Sequence, residues 1–181
     1  EGNPMFFDWD MDANSTWTPR VDIETSMTSA TYDTLNRQMF IMEAVSPDWR
    51  MHKVDVQTGK ILETASNGVG VPLWDMAYSK YYSTADAPKI SSIYGTYFMP
   101  IKNPLDLDSN VIDMNSYLSR YTHANYLTGI ASAGYASYVN GFTSYDTELF
   151  YLLDNLGYVW TLYVYGRPDG SYSAYLGHFP S

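Results

Sequence analysis

Helical periodicity is nearly absent from this chain. Apolar and β-branched residues recur in short runs, many of them alternating, and each run stops at Gly, Pro, Asn or Asp. An alternation of period two belongs to a half-buried strand, whereas an amphipathic helix repeats every 3.6 residues. Residues 51–61, MHKVDVQTGKI, show the pattern most cleanly: His52, Val54 and Val56 lie on one side, Met51, Lys53 and Asp55 on the other. Thr58 and Gly59 follow, the second able to take a positive φ, so the stretch reads as strand, hairpin turn and next strand.

The runs come in fours. The first set is SATYD (29–33), a turn at Asn36-Arg37, MFIM (39–42), a loop at Ser46-Pro47, then MHKVDVQTGKI and a last strand at 61–64. The second is DMAYS (75–79), ISSIYGTYFMPI (90–101) read as one strand, a loop at Asn103-Pro104, and NVIDMNSYL (110–118). Tyr32 and Tyr78 close the opening strands of these sets and stand 46 residues apart. The third set is the clearest. GIASAGY (129–135) leads into ELFYLLDN (148–155), and a turn at 155–157 gives YVWTLYVYG (158–166). The RPDG turn (167–170) carries Pro and Gly where a type I turn favours them, and SYSAYLG (171–177) closes the set.

Four-stranded meanders with a period of roughly 40–50 residues mark propeller blades. The pattern small-x-x-Tyr-Asp, Met-Phe-Ile, His-Lys-Val-Asp-Val-Gln-Thr-Gly-Lys resembles the blades of β-propellers in bacterial extracellular proteins, over about residues 26–179. The expected fold is all-β: repeated four-stranded antiparallel meanders, β-propeller-like, in one domain of 1–181. Residues 1–25 add N-terminal strands, 26–66 form blade 1, 67–122 blade 2 and 123–181 blade 3. Three blades do not close a ring. The expectation is an open or partial propeller, with self-association through open blade edges one way to cover them. The start, Glu1-Gly2-Asn3-Pro4, reads as that of a processed or trimmed chain.

Composition narrows the function classes. With 10 basic and 20 acidic side chains the net charge is −10, which argues against nucleic acid and anionic membrane surfaces. No apolar run approaches the roughly 18 residues of a spanning helix, so membrane insertion is not expected. The absence of cysteine excludes disulfides, thiol catalysis and thiolate metal sites. Aromatic content is high, with 18 Tyr, and 15 aromatic residues lie in 121–181, where Arg167 is the single Lys or Arg. Two readings compete for that third: an aromatic β core, or an exposed aromatic contact surface.

Candidate chemistry is sparse. Asp8, Asp10 and Asp12 alternate in DWDMDAN and would share one face of a strand, which raises Ca²⁺ as a cofactor. Ala13 and Pro19 stand where an EF-hand loop needs Gly and Glu, so a solvated acidic face is the competing reading. Asp106, Asp108 and Asn110 read as a loop, with Ca²⁺ again the alternative. His52, His123 and His178 lack zinc spacing, and His52 is expected to be a packed or edge residue. No G-x-S-x-G elbow or phosphate loop is present, and GVGVP (68–72) reads as an inter-blade turn. No catalytic residue is assigned.

The expected binding residues are Tyr158, Trp160, Tyr163, Tyr165, Tyr172 and Tyr175, because a core does not easily satisfy so many phenolic hydroxyls. The resemblance implies an extracellular or cell-surface setting of gut-Firmicutes type. It implies a non-catalytic adhesion or binding module for a host protein, an immunoglobulin among them, or for a glycan. The alternatives are a glycan-processing hydrolase or lyase and a structural spacer of a larger surface protein.

Overall fold

The computed structural model describes residues 5–8, 18–22, 26–45, 48–67, 74–105 and 111–177. Among them the backbone is mostly strand, arranged as three four-stranded antiparallel sheets and one two-stranded pair. In each four-stranded sheet, neighbours in space are neighbours in sequence. That up-and-down order is the topology of a propeller blade, and the all-β, repeated-meander expectation is met. The chain divides into two compact units, 1–72 and 73–181.

The first unit holds the pair β1 (Met5–Asp8) and β2 (Thr18–Asp22), and the sheet β3 (Ser26–Asp33), β4 (Gln38–Val45), β5 (Asp48–Asp55) and β6 (Ile61–Asn67). Its turns are set by aspartates. Asp33 Oδ1 accepts the N–H groups of Leu35 and Asn36 at 2.9 and 3.1 Å, which ends β3. Asp55 Oδ1 accepts the Thr58 N–H at 2.9 Å, and Gly59, at φ 71°, donates to the Asp55 carbonyl at 2.8 Å. The hairpin expected from MHKVDVQTGKI is therefore present. Val56 departs from it: it stands exposed in the turn, because Asp55 ends the strand one residue earlier.

His52 is buried, as a packed residue should be, and it is partnered on both ring nitrogens. Nε2 lies 2.8 Å from Glu43 Oε2 and Nδ1 lies 2.9 Å from Thr64 Oγ1. The Arg50 guanidinium reaches the same carboxylate oxygen at 3.9 Å. Register explains the row: Ile41 pairs with His52 and His52 with Thr64, so side chains from three strands meet on one face. The order hydroxyl, imidazole, carboxylate is that of a nucleophile triad. Here the carboxylate is also held by Arg50, and the row acts as a cross-strand strut. Removing one member of a buried pair strands the other, so Glu43→Ala is expected to cost about 3 kcal/mol in denaturant unfolding. A loss below about 1 kcal/mol would show that water takes the place of the carboxylate.

The second unit holds β7 (Asp75–Tyr78), β8 (Ile90–Tyr94), β9 (Tyr97–Lys102) and β10 (Ile112–Asp113), a helical turn α1 (Asn115–Tyr117) continued by a π-type turn at Leu118–Thr122, and β11 (Leu127–Asn140), β12 (Thr143–Asp154), β13 (Val159–Gly166) and β14 (Tyr172–Leu176). Two features differ from the sequence reading. Residues 90–101 form two strands, because Gly95, at φ 57°, turns the chain into a hairpin. Among the described residues of NVIDMNSYL, 111–118, only Ile112 and Asp113 pair in a sheet. The Asp113 carboxylate accepts the Asn115 N–H at 2.9 Å and the Thr96 hydroxyl at 2.8 Å, which draws the following residues into a helical turn. That turn buries Met114 and Leu118. They join Phe98, Phe150, Leu152, Trp160 and Leu162 in one core, with Phe98 and Phe150 rings 5.6 Å apart. No helix among the described residues is long and apolar enough to cross a membrane.

Candidate binding face

Alternation divides the β11–β14 sheet into two unlike faces. Along β13, Trp160, Leu162 and Val164 are buried, while Val159, Thr161, Tyr163 and Tyr165 point the other way. Along β12, Phe150, Leu152 and Asp154 are buried, while Tyr151 and Leu153 are exposed and Leu149 is half-buried. Pairing puts like with like: Leu153 opposite Val159, Tyr151 opposite Thr161, Leu149 opposite Tyr163, and Tyr163 opposite Tyr175. Tyr138 of β11 stands directly across from Tyr145 of β12 on the same outer side.

Five tyrosines gather there. Tyr175 lies nearly parallel to Tyr138, at 4.7 Å and 12°, and to Tyr165, at 5.4 Å and 5°. Tyr145 packs at 5.2 Å from Tyr165 and 5.9 Å from Tyr175, and Tyr138 at 5.2 Å from Tyr163. Each such pair is worth roughly 0.5–1.5 kcal/mol beyond the area it buries, so the rings hold one another in place. The hydrogen bond from Tyr175, then that from Arg167, holds the Tyr165 hydroxyl below its usual range. Donating that bond to Tyr165 is the largest cause pushing Tyr175 up to about 12. The result is an aromatic ridge whose rings pack on one another. With its rings stacked on each other, the ridge offers edges and hydroxyls more than open ring faces.

Beyond the tyrosines, the same outer face ends in an apolar hollow of about 300 Å³, lined mainly by Ile130, Ala131, Tyr151, Leu153 and Val159. Asp75 stands on its rim. Its carboxylate accepts the N–H groups of Met76, at 2.9 Å, and Ile130, at 3.0 Å.

Of the sequence-predicted residues, Tyr163, Tyr165 and Tyr175 meet in the ridge. Tyr172 is on the opposite face, half-buried, with its ring 5.5 Å from Tyr82. Tyr82 accepts the Gly166 N–H at 2.9 Å and donates to the Val164 carbonyl at 3.3 Å, so this pair fastens the segment after β7 to β13. Burial raises the Tyr82 hydroxyl to about 12. Tyr158 is exposed in the turn between β12 and β13, away from the ridge. Trp160 is 1% exposed and donates its indole N–H to Asp154 at 3.0 Å, so it belongs to the core and not to a contact surface. Tyr138 and Tyr145 complete the ridge and went unread. Their signal is Gly141, which with Phe142 makes the two-residue turn from which β11 and β12 run back in register.

Asp8 ends β1, and Asp10 and Asp12 lie outside the described residues, as do Asp106, Asp108, Asn110, His178 and the GVGVP segment. Among the described residues no group of three or more His, Asp or Glu side chains could hold a metal ion.

No protein-family model matches the chain, and no curated protein matches it. Among solved structures it is similar to the WD40 beta propeller domain of Doa1, with a TM-score of 0.39 and 9% identity over 96% of this chain and 75% of that one. The strand order stands without that likeness. The chain is an all-β protein whose described residues form three four-stranded, propeller-blade-like meanders.

Proposed function

We propose that this chain is a non-catalytic protein-binding module whose contact surface is the outer face of β11–β14. The observation that carries the reading is the ridge of five tyrosines. Tyrosine supplies large, rigid, amphipathic contact area at low entropic cost, and it is favoured at protein interfaces. Mutual stacking favours a protein over a glycan, since a sugar needs a free ring face to lie on and the faces of Tyr175 are engaged within the ridge. The setting we propose is a bacterial surface or secreted protein, with a host protein as partner and an immunoglobulin as one form it takes.

Capture from serum and mucus by immobilised protein tests this. Wild type is expected to retain a partner, and the double variant Tyr163→Ser, Tyr175→Ser to lose at least tenfold in retention with its thermal unfolding cooperative. The control Tyr158→Ser should retain it fully. Equal retention by wild type and the double variant would remove the ridge from the contact. Cleavage of labelled glycans without any retained protein would favour a glycan-processing enzyme instead.

A further inference from the structure

The β11–β12 hairpin runs past the rest of its sheet. β12 pairs with β13 only from Glu148 to Leu153, so among the described residues no third strand pairs with the ribbon from Tyr135 to Asp146. At its tip Asn140 pairs with Thr143, leaving Gly141, at φ 63°, and Phe142 as the two-residue turn. Phe142 is fully exposed and Val139 is 64% exposed. A phenyl ring held wholly in water at the end of the ribbon gains nothing within its own chain. Residues 137–145, SYVNGFTSY, carry no charge.

The hollow at the other end of the sheet has complementary properties. Its walls are apolar, its rim carboxylate Asp75 accepts two N–H groups, and it opens to solvent over about 300 Å³, room for one aromatic ring. The tip cannot reach the hollow of its own chain. Leu153 stands ten residues along β12 from Thr143, or roughly 33 Å at strand rise. A second copy can present it. An uncharged tip meeting an apolar hollow is also a place where two chains of net charge −10 can touch without setting like charges against each other.

We infer that this protein associates with itself head to tail, Phe142 of one copy seated in the hollow beside Leu153 and Val159 of the next. This goes beyond the ridge reading and does not depend on it. Such a contact is heterologous, so a pair keeps one free knob and one free hollow and the assembly can extend. One phenyl ring buries about 150–250 Å², well below the roughly 800 Å² per partner of a stable interface, so the association is weak and concentration-dependent.

Sedimentation equilibrium of the full chain from micromolar to millimolar concentration tests the inference. Wild-type average mass is expected to rise with concentration. Phe142→Ser, at a solvent-exposed turn, and Val159→Lys, which puts a charge in the hollow, should each hold the monomer mass throughout, with circular dichroism unchanged. The decisive arm is their equimolar mixture. One variant keeps its hollow and the other its knob, so the mixture should form a 1:1 pair and nothing larger. The inference is overturned if wild type stays monomeric at millimolar concentration. It also fails if either folded variant associates as wild type does, or if the mixture stays monomeric.

Discussion

Replacing Asp154 with alanine is expected to lower the unfolding free energy by about 4 kcal/mol, among the largest effects of any single change in the second unit. Its carboxylate is 1% exposed. Oδ2 accepts the Trp160 indole N–H at 3.0 Å, and Oδ1 accepts the N–H groups of Leu156 and Tyr158 at 2.9 and 3.0 Å. Alanine leaves the buried Trp160 indole without an acceptor, which alone costs about 1–3 kcal/mol, and takes from the β12–β13 turn the acceptor of two amides that hold its shape. Urea unfolding of both proteins checks the magnitude.

The same site makes an acid-stability signature. Burial pushes the Asp154 carboxyl upward, but hydrogen bonds from Trp160, Thr122, Tyr158 and Leu156 outweigh it and hold the group below its usual range. A depressed folded value stabilises above the unfolded value, near about 3.9, and that stabilisation is lost as pH falls through the folded value. Wild type should therefore lose stability below about pH 4. Asp154→Asn, less stable at neutral pH, should lose less over that window. Identical acid profiles would exclude this carboxylate as the titrating group.

The second large effect is expected at Glu148. The carboxylate is fully buried and accepts the Ser79 hydroxyl, the Ser132 hydroxyl and, at 3.3 Å, the Tyr81 N–H. It ties the segment after β7 to β11 and β12, and Ser132 passes the tie on by accepting the Gly134 N–H at 3.1 Å beside the β11 bulge. Glu148→Ala is expected to cost about 3–4 kcal/mol, because two hydroxyls and an amide lose a charged acceptor at once. Hydrogen exchange should localise the loss, with protection falling at residues 79–83. The ridge lies on the opposite face of the sheet, so partner retention by the folded variant should be unchanged. A cost under about 1 kcal/mol would show that water replaces the carboxylate at this joint.

The parts of this fold legible in the sequence were those encoded locally. Asp55, Thr58 and Gly59 announce their turn because the side chain, the hydroxyl and the positive φ act within five residues. Residues 90–101 hid a hairpin because a single glycine was its only mark in a β-rich run. NVIDMNSYL failed for the opposite reason, since the Asp113 hydrogen bond to Asn115 overrode an alternating pattern. The binding face was half legible. A period of two already places Trp160 opposite Tyr163, and Tyr172 opposite Tyr175. Which member faces out depends on register across the RPDG turn and on what the other sheet buries. Tyr138 and Tyr145 join the ridge through cross-strand pairing, and Glu148 gathers its partners across up to 69 residues of sequence. The Glu148 contacts leave no local trace.

The central claim is that the tyrosine ridge is where a partner binds, and 3-fluorotyrosine ¹⁹F NMR of the protein, titrated with the partner captured from serum or mucus, tests it most directly. Resonances assigned by single Tyr→Phe variants to Tyr138, Tyr163, Tyr165 and Tyr175 should shift or broaden together and saturate with the binding isotherm. Those of Tyr82 and Tyr172, on the opposite face, should stay in place. Saturation with the ridge resonances unmoved, or with Tyr82 and Tyr172 moved in their stead, would contradict the account.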